Sequence, residues 1–330
     1  MPVLSKEELL ERVVTSVRLS GCTAIVLNDQ HPFLIAATRR DDATTLRVYV
    51  WNITSGGPST VRPKDERRIQ ITGVTAPIVV TNDAITLLLG WHEEIGVFAG
   101  YDVMQHRTFG SSPSLQVREA TLEEAAKTGL AAQQRTTADI VVAFSPDQLM
   151  NYASRQAQLH QFKRDSEVEV LEAAASGKTV SDQDLDEVPM PRRQVVRTVQ
   201  QWFRRRDFRA RVLTAYEQQC AICNVQLELV EAAHIIPVGH AKGNDLTSNG
   251  LSLCPLHHEG YDGGLLGVWP DYHVRVNDGR LSELVARGLG SGEVGLRTLQ
   301  CNTIFLPQRT RDRPRPDYLE EGLRLRGWSF

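Results

Sequence analysis

The sequence predicts an α+β protein of two domains joined by an acidic segment: a mixed α+β domain over residues 1–162, a linker over 163–190, and a small metal-stabilised domain over 191–330. Three observations carry this. The chain has 330 residues, and at roughly 100–200 residues per domain that length supports two cores. Short β-like runs alternate with amphipathic helices through the first half. Three of the five cysteines fall between positions 220 and 254, each at metal-ligand spacing from another candidate ligand. A composition of 41% hydrophobic and 23% charged residues excludes long disorder and low-complexity architectures. The net charge of -3 gives by itself no reason to expect an anionic partner. Five cysteines are too few for a disulfide framework in a chain of this size. The start, MPVLSKEELLERVVTSV, carries acidic residues where a signal peptide would be apolar, and no run approaches ~18 apolar residues. The expected location is the cytoplasm, away from membranes.

Taken in order, Leu9, Val13 and Val17 recur at four-residue steps beside Leu10 and Val14, with Ser5 placed to cap the first turn, so a core-facing helix opens the chain. Five β-like runs follow at 23–27, 33–38, 46–53, 67–74 and 77–81, separated by Asp, Asn, Gly and Pro clusters. Residues 86–102 form a hairpin turning near Glu93 and Glu94. A strand over 112–117 leads to a helix over about 121–129 closed by Gly129. A strand over 139–144 then precedes a helix that begins at Ser145-Pro146, with proline at the first helical position, and runs to about Phe162. Tyr49, Trp51, Trp91, Phe98 and Tyr101 sit at strand-like positions, where aromatic residues mostly build core but can also supply stacking surfaces for a flipped base.

Residues 163–190 hold three basic and eight acidic side chains and end in SDQDLDEVPMP, which has turn chemistry without apolar periodicity, so the segment reads as a linker or a partly helical hinge. The balance then inverts. Residues 192–211 (RRQVVRTVQQWFRRRDFRAR) carry eight arginines against one aspartate. On a helix, Arg197, Arg204, Arg205, Arg206, Arg209 and Arg211 would form a cationic surface, and phosphate neutralisation by arginine supplies most sequence-independent DNA affinity. The tail RTRDRPRPD (309–317) is a weaker candidate for the same role.

The most informative segment runs from 220 to 262. Cys220-Ala-Ile-Cys223 and Cys254-Pro-Leu-His257 are two ligand pairs, each with a two-residue spacer, as a tetrahedral Zn²⁺ site requires. Cys22 and Cys301 have no such partners and are expected as core thiols. Between and beyond the pairs lie His234 in AAHIIPV, Asn249 in SNGLSLC, and His258 and Asp262. A histidine of near-neutral pKa such as His234 can accept a proton, and a hard cation can neutralise developing charge. His258 and Asp262 are four residues apart, so on a helix they share one face and can share an ion.

The frame C-x-x-C…A-H-I-I-P…N-G-L…L-C-P-x-H-H resembles the HNH endonucleases of the ββα-metal fold, in the zinc-stabilised branch of McrA-like modification-dependent restriction enzymes. The resemblance covers about residues 205–275. It implies that His234 is the general base, that Asn249 holds the loop orienting it, and that His258 binds the catalytic Mg²⁺ or Mn²⁺; the four-residue step from His258 makes Asp262 the second ligand, with a helix-end or turn aspartate before Gly263-Gly264 as the alternative. Cys220, Cys223, Cys254 and His257 would hold the structural zinc; His257 is preferred to His258 because it keeps the two-residue spacer. Many members carry a metal ligand immediately before the base, where this chain has Ala233, leaving more of the cation's coordination to water and phosphate. The N-terminal domain is similar to modules of restriction proteins encoded near methylases. The expectation is therefore a metal-dependent endonuclease of restriction or defence type, acting on double-stranded DNA, with the first domain selecting modified DNA, and working as a homodimer because a single HNH site cuts one strand and duplex cleavage needs two sites or two events. The alternatives are cleavage at an unmodified sequence, and a defence nuclease unleashed by an N-terminal sensor of a small molecule or protein.

Overall fold

The structure is a computed structural model and describes residues 3–39, 42–55, 63–75, 77–110, 113–136, 139–162, 164–186, 188–299 and 302–329. Cys301 lies outside the described residues. The fold is mixed α and β, and the chain packs as two units, Met1–Phe203 and Arg204–Phe330.

The first unit opens with α1 (Lys6–Leu19), capped by a reciprocal pair: the Ser5 hydroxyl accepts from the Glu8 amide, and the Glu8 carboxylate accepts from the Ser5 amide. The strands that follow are β1 (Thr23–Asn28), β2 (Phe33–Arg39), β3 (Asp42–Asn52) and β4 (Glu66–Gln70). The expected hairpin is β5 (Ile85–His92) against β6 (Val97–Tyr101), with Gly96 in the turn at a φ of 74°. Next come β7 (Ser114–Arg118), α2 (Glu119–Thr128), β8 (Leu130–Thr136), β9 (Asp139–Phe144) and α3 (Leu149–Leu159). Seven strands form one sheet in the order β1-β2-β3-β5-β6-β9-β8, antiparallel except for β3 beside β5, while β4 and β7 form a separate pair.

Alternation along the central strands sorts side chains into two cores. From β3, Leu46, Val48 and Val50 face the helices, and Tyr49 and Trp51 face the layer built by β4, β7 and α2. From β9, Ile140, Val142 and Phe144 join the first set, and Val141 and Ala143 the second. Strands buried on both faces explain why their sequences read as continuous apolar runs. Tyr49, Trp51, Trp91, Phe98 and Tyr101 are all buried in these cores, so none offers an open face for a base.

Three expectations need correction. Residues 77–81 form no strand: Pro77 has no N–H to give a ladder, and the segment runs irregularly with Ile78 buried and Val79 and Val80 exposed. Strand β8 had no strand signal, because Ala131, Ala132, Gln133 and Gln134 are poor β formers; pairing with β9 imposes the conformation. Residues 163–190 are not a free linker. They contain α4 (Asp165–Ala175) and α5 (Asp182–Asp186), and Val168, Leu171, Ala174, Ala175, Leu185 and Val188 complete the first core. Glu167, 1% exposed, is bound by Arg192 at 2.5 Å, so acidic charge in this segment is partly internal. The two units divide further along, inside the long helix α6 (Met190–Ala215).

In the second unit, β10 (Glu231–His234) pairs antiparallel with β11 (Gly250–Leu253), and α7 (Pro255–Asp262) follows directly. This ββα element packs on Phe208, Val212, Leu213 and Tyr216 from the end of α6. The unit is completed by β12 (Leu266–Val268), β13 (Val274–Val276), α8 (Asp278–Ala286), α9 (Glu293–Arg297) and α10 (Pro316–Leu325), whose Leu319 joins the same core. Gly250 has to be glycine: a Cβ there would lie 2.4 Å from Val212 and 2.9 Å from Phe208. Among the described residues, no helix is long and apolar enough to cross a membrane.

Candidate active site

Two constellations share the ββα element. The first is the set of Cys220, Cys223, Cys254 and His257, whose ligand atoms all lie within 4.8 Å of one another. Cys220 and Cys223 sit on a knuckle in which the Asn224 amide donates to the Cys220 carbonyl and Asn224 takes a φ of 61°. Cys254 is the N-cap of α7, with Pro255 at the first helical position, and His257 is one turn along. His257 Nδ1 stands 3.4 Å from both Cys220 Sγ and Cys254 Sγ, and Cys223 Sγ stands 4.0 Å from Cys254 Sγ. With bonds of about 2.3 Å to sulfur and 2.0 Å to nitrogen, a tetrahedral ion sets its ligands roughly 3.5–3.8 Å apart. The four residues therefore fit one ion.

Electrostatics agree. Burial raises the Cys220 thiol, but hydrogen bonds from His257 and from backbone amides outweigh it and bring Cys220 down to about 6. Cys223 is pushed up to about 12 by burial and by its neighbours Cys220 and Cys254. A divalent cation is the charge that lets all three thiols ionise together. This is a structural metal site.

The second constellation begins with His234 at the end of β10. Its ring stacks on Phe208 with centroids 3.8 Å apart and planes 8° from parallel. Its Nε2 is 3.1 Å from Asp245 Oδ1, which leaves Nδ1 as the nitrogen for other chemistry. Burial lowers the His234 pKa below the ordinary histidine value; Asp245 opposes that shift and Arg205 adds to it. Asp245 is itself anchored, since Arg211 donates to its carbonyl at 2.7 Å and to Thr247 Oγ1 at 2.9 Å. Asn249 is fully buried. Its amide accepts from Ile236 N at 2.9 Å and donates to the carbonyls of Ile236 and Asn244 at 3.0 and 2.8 Å. It thus closes the loop between His234 and Asp245. Replacing it by alanine strands two buried backbone groups of Ile236 and the partly buried Asn244 carbonyl, at about 1–3 kcal/mol for each buried group. Asn249→Ala is expected to lower the stability of the second unit by roughly 2–5 kcal/mol in denaturant unfolding.

His258 and Asp262 lie on one face of α7, with Nε2 and Oδ2 3.4 Å apart. His258 Nδ1 is 2.8 Å from Glu231 Oε2 on β10. These two carboxylates raise the His258 pKa to about 9, and His258 and Arg326 together hold Asp262 near 2.

Arg326, immediately after α10, links the two halves. Its guanidinium donates to the carbonyls of His234 and Ile235 and to Asp262 Oδ1, at 3.1, 2.7 and 2.8 Å. It also stacks 4.1 Å over the Tyr261 ring and is only 8% exposed. Phe208, Glu231, Asp245 and Arg326 were not legible as site residues. Glu231 stands three positions before His234, where a search beside the base would find it; the others carry no local signal.

The arginine stretch divides. Arg197, Arg204, Arg205 and Arg209 are exposed and Arg206 is half-buried. Arg211 does not belong to an open cationic surface, because its three nitrogens are engaged by Asp207, Thr247 and Asp245. Arg192 and Arg193 pair with Glu167 and Asp186. In the tail, Arg315 is bound bidentately by Asp317, and Arg313 donates to the Pro307 carbonyl.

A ββα element bearing a histidine at the end of its second-last strand, a buried asparagine and a Cys₃His cluster defines a nuclease domain. Comparison with known proteins agrees: residues 220–268 match the family model described as HNH endonuclease, and residues 44–153 match that described as Methylase-associated X1. Residues 220–268 thus form an HNH endonuclease domain, and the first unit carries a segment that matches a methylase-associated module. No curated protein matches the chain. Among solved structures, a modification-dependent TagI restriction endonuclease aligns at 14% identity over 84% of this chain and 80% of that one, with a TM-score of 0.28, a likeness too slight to carry any argument.

Proposed function

We propose that the protein hydrolyses phosphodiester bonds in double-stranded DNA, with His234 as general base, and that its first unit selects modified DNA. The observation that carries the chemistry is the pinning of His234: Phe208 holds its plane, Asp245 takes Nε2–H, and Asn249 fixes the loop behind it. Nδ1 then accepts the proton of a water as that water's oxygen bonds to phosphorus and the bond to the leaving oxygen breaks. A Mg²⁺ or Mn²⁺ held by His258 and Asp262 would stabilise charge on the phosphate and the leaving oxygen. Zinc in the Cys₃His site holds the knuckle against α7 and takes no part in the reaction. Arg197, Arg204, Arg205, Arg206 and Arg209 supply phosphate contacts. A single site cuts one strand, so duplex cleavage calls for two copies or two events.

Selection of modified DNA rests on the pairing of a nuclease with a methylase-associated module. The test is incubation with Mg²⁺ or Mn²⁺ and matched methylated and unmethylated plasmids. Preferential cutting of the methylated plasmid is expected. Equal cutting would remove the modification reader, and preferential cutting of the unmethylated plasmid would establish the reverse selectivity.

A further inference from the structure

His258 sits between two carboxylates, one at each ring nitrogen, and the two contacts differ in kind. Nδ1 to Glu231 Oε2 is 2.8 Å, the length of a charge-assisted hydrogen bond. Nε2 to Asp262 Oδ2 is 3.4 Å, long for a hydrogen bond and close to the roughly 3.0 Å that separates neighbouring ligands around a hard octahedral cation with bonds of about 2.1 Å. The Asp262 carboxylate is also oriented: Arg326 holds Oδ1 at 2.8 Å and is itself fixed by the His234 and Ile235 carbonyls. Only Oδ2 faces His258.

We propose that Glu231 is the positioning residue of the cation site, accepting the Nδ1–H of His258 and so presenting Nε2, together with Asp262 Oδ2, to the divalent cation. This deepens the reading of His258 and Asp262 given above and rests on it. A ligating histidine commonly donates its other ring N–H to a carboxylate, which fixes the tautomer and the ring plane and raises the basicity of the ligating nitrogen. Here that carboxylate comes from β10, three residues before His234 and two before Ala233, where a direct ligand is lacking. The strand that carries the base therefore also sets the orientation of the cation's histidine. Base and cation site are thus both tied to β10, and Arg326 bridges them through the His234 and Ile235 carbonyls and Asp262.

The experiment measures Mn²⁺ affinity of the full-length zinc-loaded protein without DNA, from the electron paramagnetic resonance signal of free Mn²⁺. Single-turnover cleavage at saturating Mn²⁺ is recorded in parallel. The Glu231 side chain is 55% exposed, so its variants are expected to keep the zinc content and melting temperature of the parent. Glu231→Ala is expected to weaken Mn²⁺ binding 10- to 100-fold. Glu231→Gln, whose amide oxygen can still accept from Nδ1–H, is expected to stay within a few-fold of the parent. Unchanged affinity in Glu231→Ala overturns the proposal. A Glu231→Gln variant as weak as Glu231→Ala also overturns it, since that pattern marks Glu231 as a direct ligand. His258→Ala and Asp262→Asn separate the two levels: if these weaken binding and Glu231→Ala does not, only the positioning role falls. If neither weakens binding, the cation site itself falls.

Discussion

His234→Ala is expected to reduce DNA cleavage by roughly 10²–10⁴-fold, about 3–5 kcal/mol of barrier, while zinc content and DNA affinity stay at parental values. The ring is positioned by contacts that serve orientation: the Phe208 face, the Asp245 carboxylate and the Asn249-closed loop. Removing it takes away the proton acceptor and leaves the Cys₃His cluster and the exposed arginines in place. The pH dependence gives a second readout. A general base works in its neutral form, so rate falls as pH drops through its pKa. Burial holds the His234 pKa below the ordinary 6.5 against the opposing pull of Asp245, so the rate is expected to be level through neutral pH and to decline only below about 6.5. Asp245→Asn removes a contribution that favours the imidazolium, so the acid limb should move to still lower pH. A parental rate in His234→Ala would reject the base assignment.

Cys220→Ser is expected to have the larger effect on folding. The cluster joins the knuckle at 220–223 to the N-terminus of α7, and α7 carries His258 and Asp262. Structural zinc in small domains contributes apparent binding energies of roughly 10–16 kcal/mol at neutral pH, comparable to the whole stability of a domain. Loss of one thiolate should release the metal, unfold residues of the second unit and abolish cleavage. The first unit has its own two cores and should survive. Hydrogen exchange resolved along the chain would show loss of protection beyond about residue 204 and native protection before it. Stoichiometric zinc and native exchange in Cys220→Ser would show that the cluster does not hold the fold.

These effects concentrate where the sequence was most legible. Ligand pairs with two-residue spacers are short-range signals: a knuckle brings Cys220 to Cys223 and one helical turn brings Cys254 to His257, while the two pairs meet where the Ala221 amide bonds the Ser252 carbonyl. The i, i+4 step from His258 to Asp262 is equally local. What escaped depends on contacts far apart in sequence. Arg326 reaches His234 across 92 positions, and an arginine in a basic tail resembles any surface arginine until the fold is known. Asp245 and Arg211 gain their roles only when the loop after β10 closes on α6.

Residues 163–190 show a different limit. Their acidic excess suggested solvent, yet Val168, Leu171, Ala174 and Ala175 repeat at helical spacing and are buried. Charge counting hid an amphipathic helix that periodicity would have revealed. The net charge misled in the same way, since exposed arginines of α6 are offset by acids elsewhere, some of them internal. The seven-strand order, with one parallel pair between β3 and β5, follows from long-range packing that local alternation does not encode.

The most direct test of the central claim is supercoiled plasmid incubated with the purified, zinc-loaded protein and Mg²⁺ or Mn²⁺, with EDTA and His234→Ala as controls. The expected result is conversion to open-circular and then linear DNA, dependent on the added cation and lost in the variant. Intact supercoiled plasmid with every cation and either methylation state, from protein that retains its zinc and its native melting transition, would contradict it.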